Sequence, residues 1–328
     1  MSVTPLHNVQ VGKETTWGTA VAQTAKLMGV KSITPTPMVN TKLFKHLRGS
    51  LQPAFEAMLA GGGGAVSLEE TGTYEDILFG FESTMGLATP TGAGPYTRPY
   101  AAPTTSQPTR RFETLMDGQG SDAYSLLGAI TTAMTLKATA GENDTEMTVT
   151  RELVGMKWDA DTVDSLSDRT VNPIMASHFA VYMDAWGGTM GATALSATVK
   201  GFELALMAPL ILKRYLGSLF PGGYESLEWK PGDNKLKLSL EFNAAVNAIV
   251  DSILGASAVV QRQIRLKASN TANLDLQLDF AGTVVGAPQI FRDDNGLVML
   301  DLELEGTYNS GLGNFFKAQV INNLATVP

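Results

Sequence analysis

Three stretches of the chain alternate apolar and polar residues with a period of two. Residues 234–242 set Leu236, Leu238, Leu240 and Phe242 against Lys235, Lys237, Ser239 and Glu241. Residues 274–280 set Leu274, Leu276, Leu278 and Phe280 against Asp275, Gln277 and Asp279. Residues 298–304 set Val298, Leu300, Leu302 and Leu304 against Met299, Asp301 and Glu303. Side chains alternate across a strand, so this pattern predicts antiparallel sheets with one packed and one polar face. Asn295-Gly296 tolerates the positive φ of a tight turn and predicts a hairpin before the third stretch. Lys230-Pro231-Gly232-Asp233 opens the first in a similar way.

Two short helices interrupt the strands. Thr73 can cap one whose apolar face is Tyr74, Ile77, Leu78, Phe81 and Met85, with Gly86 ending it. Asn243 can cap the other, with Val246, Ile249, Val250 and Ile253 inward and Gly255 as the stop. Each follows a strand carrying Ser-Leu-Glu, at residues 67–69 and 239–241. Upstream of both stands Gly-Ser-Leu-x-Pro, at residues 49–53 and 217–221, and Lys45 aligns with Lys213. The order recurs after about half the chain, which predicts two tandem units. The expected fold is mainly β, with two tandem β-sandwich units, each carrying one short helix and a long loop or hairpin arm. The expected boundaries are an N-terminal arm over 1–23, a first unit over 24–160, a linker over 161–176 and a second unit over 177–328. Residues 88–109, rich in Thr, Pro and Gly, are expected to form an irregular connection.

Composition narrows the function. Hydrophobic residues make up 44% of the 328 and charged residues only 17%, below the ~25% usual for soluble domains. With 33 glycines, this suggests a surface covered in an oligomer. Net charge is −8, and no run of Lys or Arg exceeds two residues, which disfavours groove-type nucleic-acid recognition. The absence of cysteine excludes disulfides, thiol catalysis and zinc-thiolate sites and suits a reducing compartment. The N-terminus has no signal-peptide pattern, and the apolar stretch over 204–220 is broken by Pro209, Lys213 and Arg214. No membrane insertion of the subunit is expected.

No catalytic constellation emerges. His7, His46 and His178 stand apart without motifs, and Gly12-Lys13 lacks the spacing of a phosphate loop. Asp159, Asp161, Asp164 and Asp168 have calcium-like spacing but no Gly and distal Glu to complete it, so they are expected as a solvated linker. Neither enzyme activity nor a cofactor or metal is expected.

The stretch Gly12-Lys13-Glu14-Thr15-Thr16-Trp17-Gly18-Thr19-Ala20 resembles the opening of siphophage tail tube proteins, the tube subunits of long-tailed bacteriophages. Asp294-Asn295-Gly296-Leu297-Val298, a long alternating strand and Glu305-Gly306-Thr307-Tyr308 resemble their end. The resemblance implies a virion protein made in the host bacterial cytoplasm. It implies β-sandwiches whose inner sheets join around a ring, and rings that stack into a tube through the N-terminal arm and long loops. Such a tube encloses the tape measure protein, meets tail-tip and tail-terminator proteins, and conducts DNA without reading its sequence. Family rings are commonly six-membered. Two units per chain would make a ring of three chains with pseudo-sixfold symmetry, against the alternative of six whole chains. Other expected possibilities are a tail-tip or hub ring of related fold, or a β-sandwich binding module.

On these grounds the candidate inter-ring contacts are Trp17, Gly61, Gly62, Gly63, Gly64, Gly222 and Gly223. Trp17 is expected either in a neighbour's pocket or packed on its own sandwich, and the glycines in mobile inserts or hairpin arms. Asp275, Asp279, Asp301, Glu303 and Glu305 are candidate lumen residues that would repel DNA phosphates, or else a solvated outer face.

Overall fold

The computed structural model describes residues 7–44 and 56–328, except 142, 231, 257, 272, 287, 288 and 295. Lys45, His46, the first Gly-Ser-Leu-x-Pro copy, Pro231 and Asn295 therefore lie outside the described residues. The chain is mainly β. The first half comprises β1 (Asn8–Lys13), β2 (Ala25–Lys26), β3 (Val30–Phe44), β4 (Glu56–Thr71), α1 (Ile77–Thr84), β5 (Tyr96–Ala101), β6 (Glu113–Gln119), β7 (Asp122–Thr139), β8 (Thr148–Gly155) and β9 (Lys157–Asp161). The second comprises β10 (Phe179–Ala185), β11 (Val199–Met207), β12 (Leu210–Lys213), β13 (Gly223–Ser226), β14 (Lys235–Glu241), α2 (Ala244–Leu254), β15 (Gln261–Thr271), β16 (Leu274–Val284), β17 (Gln289–Asp294), β18 (Leu297–Gly306) and β19 (Phe316–Asn322).

The alternating stretches fold as their pattern requires. Leu236, Leu238, Leu240, Leu274, Leu276, Leu278, Phe280, Leu300, Leu302 and Leu304 all enter one buried cluster. Burying one such side chain contributes about 1.5–3 kcal/mol, and a slip by one residue would turn the whole set to solvent. Val298 departs from the pattern and is exposed, because β18 begins beyond the edge of that core. Asn243 caps α2 as expected, with Val246 N donating to its Oδ1 at 3.1 Å, whereas Thr73 Oγ1 accepts from Asp76 N at 2.9 Å in the turn ahead of α1, which starts at Ile77. Every residue of α1 is buried.

All strand pairings are antiparallel. One sheet runs β3–β4–β8–β7–β11–β14–β18–β17. Behind it lie two further layers, β2–β1–β6–β7–β9 and β10–β15–β16–β19–β5. β7 belongs to two layers. Residues 123–127 pair with β9 and residues 130–137 with β8, and Gly128, at φ +65, turns the strand between them. β16 does the same, pairing with β19 over 275–280 and with β18 over 282–284.

The pairings of the first half recur in the second in the same order. β1–β6, β6–β7, β7–β8, β8–β4, β4–β3 and β7–β9 have counterparts in β10–β15, β15–β16, β16–β18 continued by β17–β18, β18–β14, β14–β11 and β16–β19, so β16 and β17 together take the place of β7. The two Ser-Leu-Glu copies occupy matching places. Ser67 stands opposite Glu152 and Ser239 opposite Asp301, and each serine hydroxyl donates to that carboxylate at 2.7 Å.

The halves are not separate bodies on a loose linker. Val9, Val11, Val66, Leu68, Phe79, Leu115, Leu126 and Leu153 form a first-half cluster, whereas the larger cluster mixes Tyr74, Ile77, Phe81, Met134 and Leu136 with the second half. The connection expected to be irregular over 88–109 contains β5, which pairs with β19 of the other half. Residues 161–176 form a strap on the first half. Thr73 bridges to Pro173, and Arg169 pairs with Asp76. Of the expected N-terminal arm, residues 8–13 are a strand, buried over 9–12.

Four arginines, Arg98, Arg110, Arg111 and Arg151, are buried almost completely. Isolated buried charges are prohibitively costly, so each must be matched. Arg151 pairs with Glu70 at 2.9 Å, and Arg111 with Glu113 at 3.1 Å and Glu82 at 3.4 Å. Arg110 donates to the carbonyls of Ser83, Ala208 and Thr131, joining α1, β7 and the end of β11. Burial outweighs Arg151 at Glu70 and pushes its carboxyl from 4.5 up to about 7. A folded pKa above the unfolded one stabilises fully below about 4.5, and that contribution is lost as pH rises to about 7. Glu70→Gln is therefore expected to have a flatter Tm–pH curve than the native chain, its relative Tm rising between pH 4.5 and 8. An unchanged gap in parallel thermal scans would contradict this assignment.

Candidate assembly surfaces

The opening motif is a folded turn. Gly12 lies so close to Ala22 that a Cβ would sit 2.4 Å from its carbonyl oxygen. The buried Glu14 carboxylate accepts from Gly18 N at 2.8 Å, Gly128 N at 2.8 Å and Thr114 Oγ1 at 2.9 Å. This ties the turn to the bend of β7. Burial raises the Glu14 pKa despite these bonds. Trp17 packs within the chain, with ring centroids 5.7 Å from Phe112 and 5.1 Å from Tyr224. The half-buried Trp17 ring bridges the two halves of the chain.

Of the two expectations for the four-glycine run, the structure has the hairpin arm, formed by β3 and β4. Gly61, Gly62, Gly63 and Gly64 are buried residues of β4, paired with Asn40, Val39, Met38 and Pro37. Their lack of side chains lets other groups approach. A Cβ on Gly62 would meet Phe220 at 2.7 Å, and one on Gly64 would meet Leu126 at 2.4 Å and Trp158 at 2.7 Å. The β12–β13 connection, carrying Gly222, lies against β4 and ends where Gly223 opens β13. Gly62 N donates to Leu219 O at 3.2 Å, and Arg214 Nη2 donates to Gly62 O at 2.7 Å. The second half's hairpin thus grips the first half's hairpin at the point where β8 stops covering it.

Both hairpins carry apolar side chains into solvent. Val39 is 71% exposed, Leu43 65%, Met58 56% and Leu216 106%, with Ile211 and Tyr215 beside it also exposed. Soluble monomers seldom display so many large apolar groups on projecting elements. Sheet edges show the same lack of cover. Among the described residues, no strand pairs with the outer edge of β3 or of β17.

The five acids expected along a lumen fall on two surfaces. Asp301, Glu303 and Glu305 lie on the polar face of the large sheet, which is concave and encloses an open hollow of about 1150 Å³ with Lys137, Lys235 and Lys237. Asp275 and Asp279 lie on the outer face of the opposite layer, since the leucines of β16 and β18 meet in one core between them. There Arg265 holds Asp279 with contacts of 2.7 and 2.9 Å, and Lys267 lies 3.2 Å from Asp275. The concave face is not uniformly acidic either. Lys235 pairs with Glu303 at 2.7 Å, Arg292 with Asp301 at 2.6 Å and Lys237 with Glu203 at 3.8 Å. The sequence pattern placed these acids on polar faces but held no signal for their cross-strand partners.

The acidic run serves the strap. Asp161 accepts from Gln23 and Ser125, Asp164 from Gln23 N, and Asp168 pairs with Lys26. Among the described residues, no group of three or more acidic or His side chains is arranged to hold a metal ion. The chain matches no family model and no curated protein sequence.

Gly62→Val is expected to displace Phe220 and crowd the Met38 carbonyl, 2.9 Å from the added Cβ, freeing the 214–222 connection so that trypsin cuts after Arg214 faster. Gly64→Val wedges a side chain between Leu126 and Trp158 and should cost about 1–3 kcal/mol in denaturant unfolding. Equal proteolysis of the native and Gly62→Val chains would show that the grip does not depend on this close approach.

Proposed function

We infer that this chain is a self-assembling structural subunit whose concave polar sheet lines a channel, and specifically the tail tube subunit of a long-tailed bacteriophage. The observation that carries the reading is the large sheet. It consists of two blocks of four strands with matching internal order, joined edge to edge through β7 and β11. Two copies of one unit in a single chain account for that order and for the duplicated Ser–carboxylate pair. Continuing the same joint from chain to chain closes a ring, and closure removes the exposed edges that otherwise promote aggregation. Three chains then complete a ring with pseudo-sixfold symmetry.

The apolar hairpins supply what ring stacking needs, while the residues at both termini that resemble tail tube proteins favour the tail over other assemblies. Pairing of Lys235, Lys237 and Arg292 on the concave face suits a conduit for DNA. Phosphates gain affinity from cations free to replace counterions, and cations already held by carboxylates offer little. In this role the tube encloses the tape measure protein, joins tail-tip and terminator proteins at its ends, and belongs to the virion. A binding-module reading draws on one feature, a cleft of about 540 Å³ lined by Trp229, Tyr308 and Phe315.

Negative-stain electron microscopy of the purified protein over a range of concentrations tests both. Hollow tubes or stacked rings with three chains per ring are expected. Rings of six whole chains would overturn the ring size. A persistent monomer that also fails to bind tail-tip proteins would favour the module.

A further inference from the structure

The joint between the two halves is visible residue by residue. β11 pairs with β7 from Gly201 opposite Thr139 to Met207 opposite Ala133. Ala208 N donates to Thr132 O at 2.8 Å, and Ala140 N donates to Lys200 O at 2.7 Å. The backbone groups of Phe202, Leu204 and Leu206 therefore face β7. Glu203–Lys137 and Ala205–Thr135 form the closer pairs that lie between hydrogen-bonded ones.

The duplicated Ser–carboxylate pair sets each strand of one half against its counterpart. Aligning Ser67 with Ser239 places Thr34 of β3 where Gly201 stands in β11, since these are their ladder partners. Thr36 then corresponds to Glu203 and Met38 to Ala205. Aligning Glu152 with Asp301 places Arg292 of β17 where Thr135 stands in β7, and Asp294 where Lys137 stands.

An independent feature checks this alignment. It puts Pro35 and Pro37 at the places of Phe202 and Leu204, whose backbone groups point away from their own half. That outer edge is where a paired strand tolerates proline, which has no N–H to donate. The next residue of this parity agrees. Gly62, the partner of Val39, sends its N–H away from β3 to Leu219 O.

We propose that a second copy of this chain docks β3 against β17 in the register of the internal joint, with Thr36 opposite Asp294 and Met38 opposite Arg292. The occupant of both open edges is the same protein. Each edge is the counterpart of one already paired inside the chain, and the two edges differ, so the contact is head-to-tail and propagates. The joint is also one-sided. Pro37 O accepts from the strand of the next copy, but no N–H returns, so contact between copies carries fewer ladder hydrogen bonds than the seam within a chain. The prolines likewise keep two β3 edges from pairing with each other.

This inference rests on the assembly reading above and is separable from it. The chain has no cysteine, so introduced pairs report without background. Antiparallel pairs of the closer kind bring Cβ atoms within disulfide reach. Assemblies of Thr36→Cys/Asp294→Cys, oxidised and run without reductant, are expected to give a ladder of linked chains that collapses on reduction. Lys137→Cys/Glu203→Cys should instead close within one chain and run as monomer. Thr34→Cys/Asp294→Cys, two residues out of register, should link at least tenfold less. Mixed single variants, Thr36→Cys with Asp294→Cys, should give a heterodimer even if the double variant folds poorly. Rings or tubes seen in the same samples without the Thr36–Asp294 link, or with the out-of-register link equally strong, would overturn the joint and leave the assembly reading standing. Homodimers of Thr36→Cys alone would overturn it as well. Samples that never assemble and never link would remove the assembly reading, and the joint with it.

Discussion

The antiparallel seam between β7 and β11 is the constraint on which the rest of the architecture depends. It joins the strands of both halves into one continuous sheet, so that Lys137 of the first half lies on the same polar face as Glu203, Lys237 and Glu303 of the second. It also forces β7 to serve two layers, because the strand that makes the seam is also the partner of β6 and β9. The bend at Gly128 that permits this is the point the Glu14 carboxylate clamps and the Trp17 ring covers. A turn near the start of the chain is thereby tied to the geometry of the seam.

Around the seam, stability comes from unlike sources in the two halves. The second-half core is a leucine interior of the kind that alternation produces. The first half surrounds α1 with buried ion pairs, and these give orientation more than net energy, because desolvating each charge offsets much of the attraction. Arg110 is the clearest case. It donates to main-chain carbonyls of three elements that hydrophobic packing alone would leave free to slide.

How much of this was legible in the sequence follows from the range of the forces involved. Strands β14, β16 and β18 and the cap of α2 are local matters of period and hydrogen bonding, and residues 234–242 or Asn243 declare them directly. The Ser-Leu-Glu copies were readable as a repeat, but only the fold shows that their serines bond matching carboxylates. The glycine run left a hairpin arm and a mobile loop equally open, because nothing local announces a strand crowded by Phe220, Leu126 and Trp158. β5 was hidden because its partner lies on β19, far along the chain. The buried arginines left no trace, since a charge that will be buried reads the same as one that will be solvated. Asp275 and Asp279 could not be separated from Asp301 and Glu303 until the layers were assigned.

The reach of Arg98 and Arg111 has a consequence for the order of events during synthesis. Arg98 donates to Asn322 and to the carbonyl of Leu324, 224 and 226 residues later, and Arg111 donates to the carbonyl of Pro328, 217 residues later. Arg98 gains these partners only once the last residues of the chain have been made, whereas Arg111 already has Glu82 and Glu113 of the first half. Contacts so distant in the chain close late, because the entropy of the intervening loop must be overcome first. Under the proposed joint, a half-made chain on the ribosome also lacks β17, the strand against which β3 of another copy would dock.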